Sequence, residues 1–168
     1  MKIQNNNYDY YSNATEILPG LWLGNIKSSL DTTFFNDKQI KCVINCTKQY
    51  PFCDDPLIEI KYRLPIKNDN DIDEIEKFYN LLDAAVDQIK NNIRSYNILV
   101  HCYDGKHRAV AVIIAYLIKY GQINLQSAID AIKSKKPDVL DPELNFDVVL
   151  QAYQKQIIDN TNDIIQTI

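Results

Sequence analysis

Asn97-Ile98-Leu99-Val100-His101-Cys102-Tyr103-Asp104-Gly105-Lys106-His107-Arg108 runs from a short apolar stretch, through a polar loop, to the start of a longer apolar stretch at Ala109–Ile118. The first five residues have the length and bounded apolar character of a central strand. From Arg108 to Tyr120 the chain is apolar on nearly every side, which predicts a buried helix, with Gly121 suited to its C-cap. A strand that passes through a tight loop into a buried helix is the building unit of a layered α/β fold.

The flanking sequence carries the same alternation. Leu21–Leu23 and Cys42–Asn45 read as strands, and in Ile58–Leu64 apolar and charged residues alternate as in a half-buried strand. Ile72, Ile75, Tyr79, Leu82, Val86 and Ile89 recur at steps of three and four, one apolar stripe on a helix. Asp71 followed by Glu74 forms a capping box at its start. A third helix carries Leu125, Ala128, Ile129 and Ile132 and stops before Pro137. A fourth starts at Asp141-Pro142 and presents Phe146, Leu150, Tyr153 and Ile157 on one face. The predicted fold class is α/β, a single domain with a central, mostly parallel sheet flanked by helices. Residues 1–14 read as a flexible N-terminal segment, 15–158 as the folded unit and 159–168 as a C-terminal tail.

Composition narrows the function. The 168 residues are 46% apolar and 24% charged, with a net charge of −4. An acidic balance argues against nucleic acid or an anionic membrane as the main partner. The ten apolar residues of Ala109–Ile118 fall far short of the roughly 20 that span a bilayer, so no stable membrane insertion is expected. Met1–Asn13 shows no basic region followed by an apolar run, hence no secretory signal. Four cysteines in such a chain read as reduced thiols in a cytoplasmic setting. Oligomeric state has no signal in the sequence.

The scarce residues fall together. Both histidines, one of three arginines and one of four glycines lie in 101–108. A loop of this size can turn successive N–H groups inward as a nest for a tetrahedral anion, and the following helix aims its N-terminal dipole at the same point. Gly105 frees the backbone, and Arg108 supplies a planar fork for two phosphate oxygens. The same field is expected to lower the Cys102 thiol into the range of activated thiols, about 3.5–7.5. A metal site from His101, Cys102 and His107 is disfavoured because adjacent strand residues point to opposite faces, so neither metal nor cofactor is expected.

His101-Cys102-x5-Arg108, set between Ile98-Leu99-Val100 and a buried helix, resembles the signature of the cysteine-dependent protein tyrosine phosphatase superfamily. Ile17-Leu18-Pro19-Gly20-Leu21-Trp22-Leu23-Gly24, Val43-Ile44-Asn45, and Asn145-Phe146 with Leu150 and Tyr153 are similar to segments of its dual-specificity branch. The resemblance runs from about residue 17 to 157. It implies a catalytic domain over 15–158 that dephosphorylates phosphotyrosine and phosphoserine or phosphothreonine in protein substrates through a phosphocysteine, without a metal. Cys102 is then the nucleophile. Arg108 binds phosphate with the loop residues Tyr103, Asp104, Gly105, Lys106 and His107, and His101 orients the loop through backbone bonds. A general acid is required upstream. Aligning Phe78-Tyr79 with the family's aromatic pair favours Asp69, with Asp71 as the alternative. The resemblance further implies that Cys46 or Cys53 could pair reversibly with Cys102. Core packing is their simpler role.

Three positions depart from the commonest pattern of that branch. Asp104 replaces a small residue, His107 a serine, and Ala109 the serine or threonine that follows the arginine. Ala109 lacks the hydroxyl that stabilises the departing thiolate, so slow hydrolysis of the intermediate is expected. His107 reads as a rim residue. Lys106-His107 adds positive charge, as in relatives acting on inositol or phosphoinositide phosphates, and that is the alternative substrate class. A phosphate-binding pseudophosphatase, suggested by Asp104 and Ala109, is the second alternative.

Overall fold

In the computed structural model, residues 13–69, 71–141 and 146–167 are described. Five strands form one sheet: β1 (Ala14–Leu18), β2 (Leu21–Gly24), β3 (Ile40–Asn45), β4 (Ile60–Arg63) and β5 (Asn97–His101), in the order β1-β2-β5-β3-β4. β2, β5, β3 and β4 are parallel; β1 pairs antiparallel with β2 at one edge. The mixed α/β domain predicted from the sequence is therefore observed. β5 is hydrogen-bonded on both sides and covered on both faces, which is why its residues 98–101 are all buried and read as an unbroken apolar run.

Alternation along the strands divides the core. Ile98 and Val100, with Cys42 and Ile44, face α2 (Ile72–Asn92), α3 (Arg108–Lys119), α4 (Leu125–Lys135) and α5 (Phe146–Thr167). Leu99 and Val43 point the other way, into a smaller cluster with Phe35 of α1 (Thr32–Lys38), Ile40 and Ile58. α3 is buried along almost its whole length, as its composition predicts. A polar clasp joins three helices. Lys119 Nζ lies 2.8 Å from both Asp83 and Asp87, which share one face of α2. The Tyr153 hydroxyl of α5 donates to Asp83 at 2.6 Å, and the Tyr120 hydroxyl to Asp87 at 2.7 Å.

Several expectations change. Neither α1 nor β1 is evident from periodicity. Ala14, assigned to the flexible segment, pairs with Gly24 in β1, and residues 1–12 lie outside the described residues. Ile58–Leu64 forms a strand only over Ile60–Arg63. The left-handed residue after α3 is Gln122 (φ 55°), not Gly121. Gly121 is instead required by crowding, since a Cβ there would sit 2.5 Å from the Leu117 carbonyl oxygen. Asp71 does cap α2, accepting the Asp73 N–H at 3.0 Å, whereas Glu74 reaches back to the N–H of Lys67, leaving the capping box half made. Residue 159 marks no break, for α5 continues as an exposed helix to Thr167. Pro142 of the expected cap and Asn145 of the closing-helix motif lie outside the described residues.

Candidate active site

The loop from Cys102 to His107 closes between the end of β5 and the start of α3, which positions its two ends rigidly. Its carbonyls turn outward to neighbouring segments. Tyr103 O accepts from Ile26 N at 3.0 Å and Lys106 O from Leu140 N at 2.9 Å, while His107 O accepts from Ala111 N at 2.9 Å as the first bond of α3. The N–H groups of Gly105 and Ala109 donate toward the Cys102 sulfur, whereas that of Lys106 donates to Asp104 Oδ1 at 2.9 Å. Gly105 adopts φ 71°, and a Cβ there would approach the Gly24 carbonyl oxygen to 2.9 Å. Any other residue would both strain the loop and push it off β2.

Arg108 is buried at the first turn of α3. Its Nη1 donates to the Ile66 carbonyl at 3.0 Å, while its buried Nε has no hydrogen-bond partner among the described residues. Arg108 and the N–H groups of Gly105 and Ala109 all act on the Cys102 sulfur, a grouping of donors that suits an anion. The bond to Ile66 also ties the arginine to the 64–71 loop that bears Asp69. Asp69 is exposed and accepts the Asp71 N–H at 2.7 Å. The Asp71 carboxylate in turn accepts the Asp73 N–H at 3.0 Å at the N-cap of α2.

The electrostatics differ from expectation at Cys102. The sulfur is fully buried, and burial pushes its thiol up. Arg108 and the amides of Ala109 and Gly105 pull it down, Asp104 pushes it up again, and the outcome lies above the ordinary value. Sequence spacing exposes the favourable charges but not the desolvation. Asp104 Oδ1 lies 3.5 Å from Cys102 Sγ and accepts the Lys106 N–H at 2.9 Å. Burial lowers His101 to about 4, so its ring is neutral. Its Nδ1 lies 3.4 Å from the Cys102 carbonyl oxygen. His107, read as a rim residue, is only 3% exposed and forms the N-cap position of α3; burial lowers it as well.

Lys106 does not present a free charge to the loop interior. Its Nζ is 3.5 Å from Asp138, which also binds Lys136 at 2.6 Å. Asp138 and Leu140 brace the loop from the α4–α5 connection. Such partners have no sequence signal, because they lie some thirty residues from the motif and meet it only in the fold, Asp138 through its carboxylate and Leu140 through its N–H. Tyr103 is 53% exposed and stacks on Tyr50 with ring centroids 5.4 Å apart, forming an aromatic wall beside the loop. Cys46 follows β3 next to Cys102, its N–H donating to the His101 carbonyl at 2.8 Å. Cys53 packs with the smaller core cluster on the other side of the sheet. No group of three or more metal-binding side chains occurs among the described residues.

Residues 21–156 match the family described as "Dual specificity phosphatase, catalytic domain". Dual specificity protein phosphatase 6 of Homo sapiens is 31% identical over 132 residues, which cover 78% of this chain and 34% of the relative. Dual specificity protein phosphatase Mpk3 of Drosophila melanogaster is 31% identical over 153 residues, 89% of this chain and 36% of the relative. The chain spans about a third of the length of these curated relatives. The crystal structure of human DUSP28 shares the fold, with a TM-score of 0.77 and 22% identity, covering 87% of this chain and 95% of that one.

Proposed function

The chain belongs to the dual-specificity phosphatase family, and from that premise we propose that it hydrolyses phosphotyrosine and phosphoserine or phosphothreonine in proteins through a phosphocysteine on Cys102. The observation that carries this reading is that the Arg108 guanidinium and the N–H groups of Gly105 and Ala109 act together on the Cys102 sulfur. The phosphate oxygens would lie against Arg108 and the backbone N–H groups of residues 103–108. In the first step Cys102 Sγ, as thiolate, attacks phosphorus. The P–O bond to the substrate breaks, and Asp69 delivers its proton to the leaving oxygen. In the second, Asp69 takes a proton from water, the hydroxide oxygen bonds to phosphorus, and the S–P bond breaks to return the thiolate. Asp69 is favoured over Asp71 by the register of Phe78-Tyr79 with the family's aromatic pair, and because the Asp71 carboxylate sits at the N-cap of α2 whereas Asp69 accepts an N–H within its loop.

Ala109 offers the departing sulfur a backbone N–H and no hydroxyl, so the second step is the slow one. Removing one such donor costs about 2.7–4 kcal/mol in a comparable site. Protein substrates fit better than inositol phosphates because Lys106, the extra cation of the loop, is paired with Asp138. Four unpaired cysteines support a reducing, cytoplasmic setting. No described helix is long and apolar enough to cross a membrane.

A panel of phosphotyrosine, phosphothreonine and phosphoserine peptides and soluble inositol phosphates tests the proposal. Phosphate release from the peptides above a Cys102→Ser control is expected. Faster release from inositol phosphates would contradict the substrate class, and no release from any compound would contradict the activity.

A further inference from the structure

Asp104 stands within the loop, yet the reaction above makes no use of its carboxylate. Oδ1 accepts the N–H of Lys106 at 2.9 Å, a local turn that many aspartates make. The same oxygen is also 3.5 Å from Cys102 Sγ, within reach of a thiol donor, and turn formation does not require that contact. Two groups that an incoming phosphoryl group needs, a loop N–H and the nucleophilic sulfur, are therefore both engaged by a negative charge of the chain itself.

The surroundings give that charge no strong counterweight. Lys106, the nearest flexible cation in sequence, is drawn outward to Asp138. The groups facing Cys102 are Arg108 from α3, Asp104 from the loop, and Cys46 at the end of β3. The groups facing His107 include Asp104, Lys106, Arg108 and Asp141, and its ring is held neutral by burial. Among the described residues Arg108 is thus the one fixed cation acting on the sulfur, and Asp104 opposes it. A carboxylate and a phosphate dianion cannot share so small a space without mutual repulsion.

On the premise of the phosphatase reading, we propose that Asp104 is a built-in counter-anion. In the resting enzyme it engages the phosphate seat and keeps Cys102 a protonated thiol, and substrate must displace it to bind and react. Displacement needs only rotation of the Asp104 side chain. It frees the Lys106 N–H for a phosphate oxygen and lets the thiol proton leave to solvent, giving the thiolate that attacks. Asp104 is then a positioning residue that sets phosphate affinity and the fraction of active nucleophile, at the expense of both in the resting state.

The test compares the full chain with Asp104→Asn, which keeps an oxygen acceptor for the Lys106 N–H but removes the charge. Asp104→Ser serves as a second variant should the first fold poorly. Alkylation of Cys102 by iodoacetamide is followed against pH by mass spectrometry of its peptide, with and without inorganic phosphate. The expected result is a midpoint at least about one pH unit lower in the variants, with phosphate protecting at concentrations about tenfold lower. A wild-type midpoint together with wild-type protection would overturn the proposal and leave Asp104 a turn-former only. The alkylation readout needs no turnover. A lowered midpoint in a protein that hydrolyses no phosphate monoester would defeat the phosphatase reading while leaving this one standing.

Discussion

Asp69 and Asp71 lie two residues apart, and each carboxylate accepts the backbone N–H two residues on, Asp69 from Asp71 at 2.7 Å and Asp71 from Asp73 at 3.0 Å, the latter at the N-cap of α2. If Asp69 is the acid, Asp69→Asn lowers kcat on an alkyl phosphate by at least about 100-fold. It costs far less on p-nitrophenyl phosphate, whose leaving group departs without a proton. Equal losses on both substrates would point away from proton donation. A second expectation concerns His101, held near 4 by burial against an ordinary value of 6.5. Between those values the unfolded chain binds more protons than the folded one. The stability conferred by the neutral ring is therefore complete above pH 6.5 and lost as pH falls toward 4, by about 3 kcal/mol. His107 acts in the same direction. Urea unfolding at pH 7 and pH 4.5 measures this, and His101→Asn should flatten the difference. The loop that joins β5 to α3 was legible in the sequence, with Gly105 at positive φ and Arg108 in the first turn of α3, because a tight turn between an apolar strand and a buried helix demands that local pattern. The raised thiol and the buried His107 were not, since both depend on how much protein lies over them, and that is set by segments distant in sequence.

At the scale of elements, legibility followed periodicity. α2 and α3 carry long, regular apolar patterns and appear where those patterns place them. α1 has seven residues, two of them β-branched threonines, too little for a local signal. It forms because Asp31 caps it and Phe35 is driven into the smaller core cluster. β4 is shorter than the alternating run that predicts it: Ile60–Arg63 pair in register with Cys42–Asn45, and beyond them only the Glu59 and Leu64 N–H groups bond to Lys41 and Asn45, each at 2.9 Å. The three-helix clasp lies at this scale too. Lys119→Met leaves Asp83 and Asp87 facing each other without a cation. With the side chains partly exposed, the cost should be about 1 kcal/mol, read as a shift in the urea midpoint with an unchanged slope. A shift of similar size in Lys119→Arg would show that the clasp needs more than charge.

For the whole molecule, the sheet order places β5 at the centre, so the loop at its end is fixed from four directions: β2, β3, α3 and the α4–α5 connection. That rigidity lets an acidic protein, with a net charge of −4, concentrate one positive field at one point. In the proposed reaction Cys102 carries the phosphoryl group between two steps, the second slowed by Ala109. The most direct measurement is rapid quench on an activated aryl phosphate, with mass spectrometry of the Cys102 peptide. The predicted result is one phosphoryl group on Cys102, a burst of phenol equivalent to the enzyme, and less accumulation in Ala109→Ser. An unmodified Cys102 peptide with phenol release no faster than in Cys102→Ser would contradict it.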